Sequence, residues 1–385
     1  MQQAYIIEAK RTAIGKSGRG SLVQVRPDDL GAYVIQDILK KVPGLDPKEI
    51  EDLVIGCSFP EGEQGMNMAR IVALRAGLPI DVCGVTINRF CSSGLQAISM
   101  AADRIRLGEA DVMMGGGIES MSMVPMGGAK AAPNPYLAVH APQAYLSMGI
   151  TAENVAANYA ITREQQDEFA ASSHQKAWAA QSSGRFDNEI VPISLSTWGS
   201  PGEKWFTKDE GIRPDTTLET LAKLRPAFKI GGSVTAGNSS QTSDGAAMTL
   251  LMSERKTLAL GIKPLAIWRG FAVAGVEPEL MGIGPIKAIP KVLKQVGLTL
   301  DQIDLFELNE AFASQSLAIL KTLDIDPAKV NVNGGAIAFG HPLGCTGAKL
   351  TATLLEEMTK RKLKYGMVTM CIGGGMGAAG VYELL

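Results

Sequence analysis

The feature that most constrains the fold is an internal duplication of the chain. The segment GLDPKEIEDLVIG at 44–56 is matched by GLTLDQIDLFELN at 297–309, an offset of 253. Cys91 begins CSSGLQAISMAA and Cys345 begins CTGAKLTATLL, an offset of 254. Each half then closes with a glycine triplet, after DVMM in the first and after VTMCI in the second. Landmarks repeated in one order predict two similar halves.

Each half alternates short apolar runs with helical patterns, which predicts an α/β fold built from β–α–β units. The runs AYIIEA, DLVIGC, VTINRF and ADVMMGG are typical of buried parallel strands. Residues 121–243 interrupt the repeat and include a helical segment that starts at a capping box of Thr162 and Gln165. We therefore expect one half at 1–120 with 244–264, an inserted loop domain at 121–243, and a second half at 265–385.

The overall charge argues against a nucleic-acid-binding protein. The 385 residues carry 37 basic and 39 acidic side chains, a formal net charge of −2, whereas nucleic-acid proteins need a basic surface. No signal peptide, membrane span or C-terminal peroxisomal tripeptide is apparent. Five scattered cysteines without a CxxC pair indicate reduced thiols rather than a disulfide framework or a thiolate zinc site. We predict a cytoplasmic protein.

Cys91 is the candidate nucleophile because it lies where strand VTINRF meets helix SSGLQAI. A helix N-terminus offers free N–H groups and a partial positive charge, which lower a thiol pKa and stabilise an oxyanion. The alternative is an inert buried cysteine, and from the local sequence the two interpretations are balanced. Cys57 and Cys83 lack this setting and are assigned to the core.

Three further residues are candidates for the same site. His341 lies in the glycine-rich loop NGGAIAFGHPLG before a helix, where an imidazole can act as a base near a substrate, whereas His174 is expected on a solvated helix face. Cys371 precedes a glycine-rich loop whose N–H groups can converge on an oxygen, although core packing is equally possible. Asn309, in LFELNEAFA, is placed at a strand-to-helix junction, where Asn is also a good helix cap.

These blocks resemble the thiolase family over nearly the whole chain. The matching segments are NRFCSSGLQA, GGGIESMS, MGITAEN, RPAF, TAGNSSQTSDGAA, NEAFA, NGGAIAFGHPLGCTGA and MCIGGGMGAA. The segment DEGIRPDTTLETLAKLRPAF is more similar to degradative 3-ketoacyl-CoA thiolases than to biosynthetic acetoacetyl-CoA thiolases. Ser147 supports this, because biosynthetic members usually have His at that position.

The resemblance implies a role for each candidate. Cys91 corresponds to the acylated nucleophile, His341 to the group that activates it and contributes to one oxyanion hole, and Cys371 to the acid and base. Asn309 corresponds to the residue that holds a water in that hole, and the N–H groups of Cys91 and Gly373 to the second hole. The resemblance also implies contacts with CoA. Ala236 and Ser240 correspond to residues that contact the pantetheine, and Arg225 to a phosphate or adenine contact. The surrounding pocket corresponds to Met148, Ala227, Phe228, Ala311 and Phe312.

The resemblance also implies a thiolase-like fold and the ligands. The two αβαβα-type halves share a layer of buried helices in a five-layered arrangement, with the inserted domain over a groove for coenzyme A (CoA). CoA is a substrate, no cofactor is permanently bound, and no metal is required. Homodimers or homotetramers are expected, and a hydratase/dehydrogenase subunit of a β-oxidation complex is a further possible partner.

Three alternatives stay open from the sequence. A biosynthetic acetoacetyl-CoA thiolase has the same chemistry in the other direction. A ketoacyl synthase is disfavoured because that class typically uses two histidines, and Cys371 takes the place of one. A non-catalytic thiolase-like protein is disfavoured because the Cys/His/Cys/Asn set is complete.

Overall fold

The computed structural model describes residues 2–195 and 204–385, within which lie thirteen strands and twelve α-helices. The strands are β1 Ala4–Thr12, β2 Gly15–Lys16, β3 Asp52–Gly56, β4 Val85–Ile87, β5 Val112–Ser120, β6 Ile190–Val191, β7 Ile193–Ser194, β8 Trp205–Phe206, β9 Ser243–Ser253, β10 Ala266–Gly275, β11 Leu305–Leu308, β12 Tyr365–Ile372 and β13 Met376–Leu384. The helices are α1 Pro27–Lys41, α2 Met68–Arg75, α3 Ser93–Leu107, α4 Pro135–His140, α5 Met148–Asn158, α6 Arg163–Ser182, α7 Leu218–Ala222, α8 Glu254–Leu260, α9 Gly284–Val296, α10 Ala313–Leu323, α11 Ala336–Phe339 and α12 Leu343–Arg361.

The two halves have the same strand arrangement. The first half is ordered β4-β3-β5-β9-β1 and the second β11-β12-β13-β10, and the two sheets join where β1 pairs with β10 over two residue pairs. An isolated parallel bridge from Val330 to Phe306 takes the place of β4 in the second half. The expected parallel strands are β3, β4 and β5, and β11 and β12. The long strands β9 and β13 run antiparallel to their neighbours, so the sheets are mixed.

The apolar side chains define the five layers that the family resemblance implies. Helices α1 and α2 pack on the outer face of the first sheet, and α9 and α10 on the outer face of the second. Helices α3 and α12 lie between the sheets, where their side chains form one core with residues from both. Since sheets and helices with one apolar face must bury it against another element, this stacking follows from the duplicated pattern.

The two central helices cross at a pair of glycines, Gly94 of α3 and Gly347 of α12, which are equivalent at the offset of 253. A Cβ on Gly94 would lie 2.8 Å from the oxygen of Gly344, and one on Gly347 would lie 2.5 Å from the nitrogen of Leu95. The helices therefore approach more closely here than any other residue type would allow. Both helices begin close to this crossing, which brings their N-termini to one place.

The inserted segment is tied to both halves by buried charges. Arg11 of β1 pairs with Glu189 at 2.6 Å and with Asp209 at 2.8 Å, and all three are almost fully buried. Arg185, just after α6, pairs with Glu357 of α12. Buried ion pairs of this kind are costly to break singly, because the remaining charge is left without a partner.

Helix α6 confirms the predicted capping box, in which the Thr162 side chain accepts from Gln165 N and the Gln165 side chain accepts from Thr162 N. The prediction for His174 on this helix was wrong. The imidazole is buried, its Nδ1 accepts from Arg213 N at 3.1 Å, and burial lowers the pKa of His174 to about 4. A helix inside a large insertion packs on both sides, which its sequence pattern did not reveal.

Two other expectations need correction. Cys57 is buried as predicted, but Cys83 is exposed. The glycine triplets are not equivalent, because 115–117 lie inside strand β5 while Gly374 and Gly375 form the turn between β12 and β13 with positive φ. A Cβ on Gly116 would lie 2.3 Å from Ala247 O, so close strand packing rather than turn geometry requires glycine there.

Candidate active site

Cys91 lies in a short 3-10 turn, Phe90–Ser92, that leads from β4 into α3. Its side chain is buried, and its own N–H and that of Gly373 point at the thiol. Burial outweighs these two N–H groups and raises the pKa of Cys91 to about 11. The expectation of a lowered thiol pKa is therefore wrong for the free enzyme, because desolvation disfavours the thiolate more than the helix N-terminus favours it. Cys91, the candidate nucleophile, therefore rests as a neutral thiol and needs a base to become a thiolate.

Cys371 occupies the end of β12, two residues before Gly373, and is fully buried. Burial raises the pKa of Cys371 above its usual range, and the neighbouring Cys91 raises it further, since two nearby thiolates repel. Its side chain packs with Met148, Met281 and Phe312. The two halves thus each contribute one thiol to the same place.

His341 precedes α12, and its backbone N donates to Gln241 O at 2.8 Å. The Thr346 hydroxyl donates to Pro342 O at 3.0 Å and lies 2.6 Å from His341 Nδ1, so Nδ1 carries the hydrogen and donates to Thr346. The other nitrogen, Nε2, keeps its lone pair. Burial lowers the pKa of His341 to about 3, so the imidazole is neutral at physiological pH.

Asn309 follows β11 and directs its amide to the imidazole. Its Nδ2 lies 3.3 Å from His341 Nε2, and its backbone N donates to Thr369 O at 3.0 Å. Its Oδ1 is buried and accepts no hydrogen bond from the described part of the chain. An amide oxygen in this state can accept from a water or a ligand.

The residues expected around CoA form an apolar group beside Cys371. Phe228 and Phe312 make an edge-to-face contact with ring centroids 6.0 Å apart, and Met148 packs with Phe312. Ser240 N donates to Ala311 O at 2.9 Å, and Ala227 N donates to Val234 O at 2.9 Å. Arg225, Ala227 and Ala236 are exposed, and Phe228 is 40% exposed although its ring contacts Phe312.

Sequence reasoning missed three residues at the site. Thr346 orients His341, and its signal was a hydroxyl residue in the first turn of the helix that follows the histidine. Phe90 has φ of 42°, unusual for a bulky residue, and its ring lies 3.7 Å from where a Cβ on Gly373 would be. The buried carboxylate of Glu119 accepts from Ser58 N at 2.8 Å and from Gly344 N at 2.7 Å, which ties β3 to the start of α12.

The duplicated five-layered fold, with a thiol from each half beside an imidazole and an amide, matches a known family. The family profile "Thiolase, N-terminal domain" matches residues 4–255, and "Thiolase, C-terminal domain" matches residues 262–384. The chain therefore belongs to the thiolase family.

Several named proteins are similar to this chain over nearly its whole length. A 3-ketoacyl-CoA thiolase of Bacillus subtilis is 56% identical over 100% of both chains. The peroxisomal 3-ketoacyl-CoA thiolase of Homo sapiens is 48% identical over 98% of this chain and 90% of its own. The crystal structure of the Bacillus anthracis acetyl-CoA acetyltransferase has a TM-score of 0.92 and 44% identity, covering 100% of this chain and 99% of that one.

The part of the chain that the structure describes contains neither a membrane-spanning helix nor a cluster of metal-binding side chains. Within residues 2–195 and 204–385, no helix is both long enough and apolar enough to cross a membrane. The same residues contain no group of three or more His, Cys, Asp or Glu side chains arranged to hold a metal ion.

Proposed function

We propose that the chain cleaves 3-ketoacyl-CoA with CoA to give acetyl-CoA and a shortened acyl-CoA, the last step of fatty-acid β-oxidation. The observation that supports this proposal is a buried pair of thiols, Cys91 and Cys371, of which each half supplies one; in the second half the buried His341 and Asn309 side chains contact each other. The similarity to proteins named 3-ketoacyl-CoA thiolase favours the degradative direction.

In the first half-reaction, the Cys91 thiol gives its proton to His341 Nε2, and its sulfur attacks the 3-keto carbon. The alkoxide that forms is held by the N–H groups of Cys91 and Gly373, which already point at this sulfur. The bond between C2 and C3 then breaks, and its electron pair leaves with the acetyl-CoA enolate. His341, now protonated, and a water held by Asn309 stabilise the enolate oxygen, while Cys371 donates its proton to C2.

In the second half-reaction, the Cys371 thiolate takes the proton of the incoming CoA thiol. The CoA sulfur attacks the acyl-Cys91 thioester, and the departing Cys91 thiolate recovers its proton from His341. Both side chains end as they began, so no cofactor is consumed and the kinetics are ping-pong. CoA lies along Met148, Ala227, Phe228, Ala236, Ser240, Ala311 and Phe312, with Arg225 toward the phosphates.

Mass spectrometry after mixing with a long-chain 3-ketoacyl-CoA tests this assignment. We expect Cys91 to gain the shortened acyl group, and Cys91→Ala to lose turnover while it still binds CoA. A Cys91→Ala variant with normal turnover would show that the nucleophile is wrong. Cleavage of acetoacetyl-CoA but of nothing longer would instead favour the biosynthetic alternative, the activity named for the similar Bacillus anthracis protein.

We further propose a homodimer, formed through the open edge of the first sheet. Strand β4 ends the strand order, and Met66, Ile80 and Val85 around it are exposed. Asn67 Nδ2 donates to Gly84 O at 2.7 Å, which holds these apolar side chains in one region. An exposed apolar strand edge invites pairing, and a second copy with the same edge fits it. A monomer in sedimentation velocity would contradict the dimer, and a larger species would favour a tetramer or a complex with a hydratase/dehydrogenase subunit.

We also propose a cellular location and a division of the chain into domains. Cys91 and Cys371 must stay reduced for this chemistry, which suits a cytoplasmic location. We retain the division into 1–120 with 244–264, 121–243 and 265–385. Limited proteolysis followed by mass spectrometry tests these boundaries.

A further inference from the structure

We propose that Glu310 is a positioning residue that fixes the Asn309 amide and the His341 imidazole relative to each other. The inference rests on the proposed function, because it assigns Glu310 a part in keeping those two groups aligned. Glu310 directly follows Asn309 between β11 and α10, and its side chain is 2% exposed. Its carboxylate contacts Ser173, Asn331 and Ile337 and none of the four candidate reacting groups, so we treat it as a positioning residue.

Every hydrogen-bond partner of the Glu310 carboxylate is a donor. Its Oε1 accepts from Asn331 Nδ2 at 2.8 Å, and its Oε2 accepts from Ser173 Oγ at 2.6 Å and from Ile337 N at 3.3 Å. The Ser173 oxygen itself accepts from Gly335 N at 3.0 Å, so its single hydrogen is directed at Glu310. Burial raises the pKa of Glu310, while the hydrogen bonds from Ser173, Asn331 and Ile337 oppose this rise. An ionised carboxylate accepts from all three donors and brings no hydrogen of its own that would need an acceptor.

The Asn331 side chain connects Glu310 to the strand that carries Asn309. Its Nδ2 also donates to Leu308 O at 2.8 Å, and its Oδ1 accepts from Leu308 N at 2.8 Å. Asn331 has φ of 45°, a left-handed conformation that asparagine tolerates better than most residues. These contacts fix the end of β11 immediately before Asn309.

The contacts to Ser173 and Ile337 connect Glu310 to the segment that carries His341. A Cβ on Gly335 would lie 2.2 Å from the Glu310 carboxyl carbon, so the backbone at 335 passes directly against the carboxylate. Ser173 lies on α6 of the inserted segment. One carboxylate therefore joins the end of β11, helix α6 and the start of α11, which leads into His341.

Glu310→Gln is the sharpest test because it keeps the size of the side chain and turns one acceptor into a donor. The amide N–H₂ would face a group that also donates, so at least one hydrogen bond must break. We expect kcat for thiolysis to fall about 10- to 100-fold, the range typical of residues that orient reacting groups, with the KM for CoA changed less than about 3-fold.

Glu307→Gln is the matched control, three residues earlier in the chain and within β11. Its carboxylate is also fully buried, but neither oxygen accepts a hydrogen bond within the part of the chain that the structure describes. Burial raises the pKa of Glu307 and the Lys349 charge opposes this rise, but replacing the acid by an amide breaks no hydrogen bond that the described chain makes to it. We expect this variant to keep wild-type kcat within about 3-fold.

The outcomes distinguish a failure of the positioning role from a failure of the proposed function. Equal losses of kcat in both variants, or a Glu310→Gln kcat near wild type, would overturn the positioning role. Ser173→Ala covers the case in which Glu310→Gln does not fold; a kcat within about 2-fold of wild type would also overturn it. If the wild-type protein cleaves no 3-ketoacyl-CoA, the proposed function fails. The rate at which iodoacetamide alkylates Cys91 can still be compared between the variants, because this measurement needs no substrate.

Discussion

The two candidate reacting groups Cys91 and His341 rest in their neutral forms. Burial raises the pKa of Cys91 to about 11 and lowers that of His341 to about 3. The sequence identified both residues, since their types and positions carry the family motifs. It could not give the direction of the Cys91 pKa shift, because desolvation depends on packing from both halves. For the same reason, it placed His174 on a solvated face.

The Phe90 ring limits the space beside the nucleophile. It lies 3.7 Å from the Cβ position of Gly373, Met148 lies 3.8 Å from the same point, and Phe59 flanks Phe90 with ring centroids 6.1 Å apart. We expect Phe90→Leu to raise kcat/KM for 2-methyl-branched relative to linear 3-ketoacyl-CoA about 10-fold, as for one methylene-sized space in an apolar pocket.

Competition assays with paired linear and branched substrates measure this ratio directly. Phe59→Leu is the control, because it leaves Phe90 in place and should keep the wild-type preference. An unchanged ratio in Phe90→Leu would show that the ring does not define the pocket width.

At the level of elements, the crossing of α3 and α12 sets the distance between the groups they carry. Alanine normally favours a helix interior over glycine by about 1 kcal/mol. At Gly347 this preference loses, because the new Cβ would lie 2.5 Å from Leu95 N. We expect Gly347→Ala to lower the free energy of unfolding by about 1–3 kcal/mol and to reduce thiolysis.

Urea unfolding and steady-state rates of the same preparations check this prediction. Gly44→Ala is the matched control, because no atom lies within 4 Å of its added Cβ. Equal stability of the two variants would mean that the crossing tolerates a methyl group.

Sequence patterns predicted some elements well and others poorly. The capping box correctly marked the start of α6, because a cap is a local interaction among neighbouring residues. The pairing of β1 with β10 and the antiparallel direction of β9 are long-range contacts, so local periodicity did not reveal them. The first glycine triplet misled because glycine serves tight strand packing as well as turns.

For the whole molecule, buried thiols make stability depend on alkaline pH. Burial raises the pKa of Cys57, Cys345 and Cys371 above the ordinary value of 9.0. A pKa raised on folding means that the folded state holds its proton longer than the unfolded chain. The stabilisation is therefore complete below pH 9 and declines as pH rises above it, by about 1.4 kcal/mol per pH unit for each thiol.

Denaturant unfolding at pH 8, 9 and 10 measures this slope. Cys345→Ala removes one of the buried thiols without touching Cys91 or Cys371, and should reduce the total loss of stability between pH 8 and pH 10 by about 1.4 kcal/mol. A slope identical to wild type would show that Cys345 ionises equally easily in both states.

The duplication of the two halves does not extend to the candidate reacting residues. At the offset of 253, each reacting residue has a counterpart that lacks its chemistry, namely Gly344 for Cys91, Asn88 for His341, Gly56 for Asn309 and Ile118 for Cys371. Although the fold is duplicated, the candidate residues therefore form one site and not two: the first half supplies Cys91, and the second supplies His341, Asn309 and Cys371.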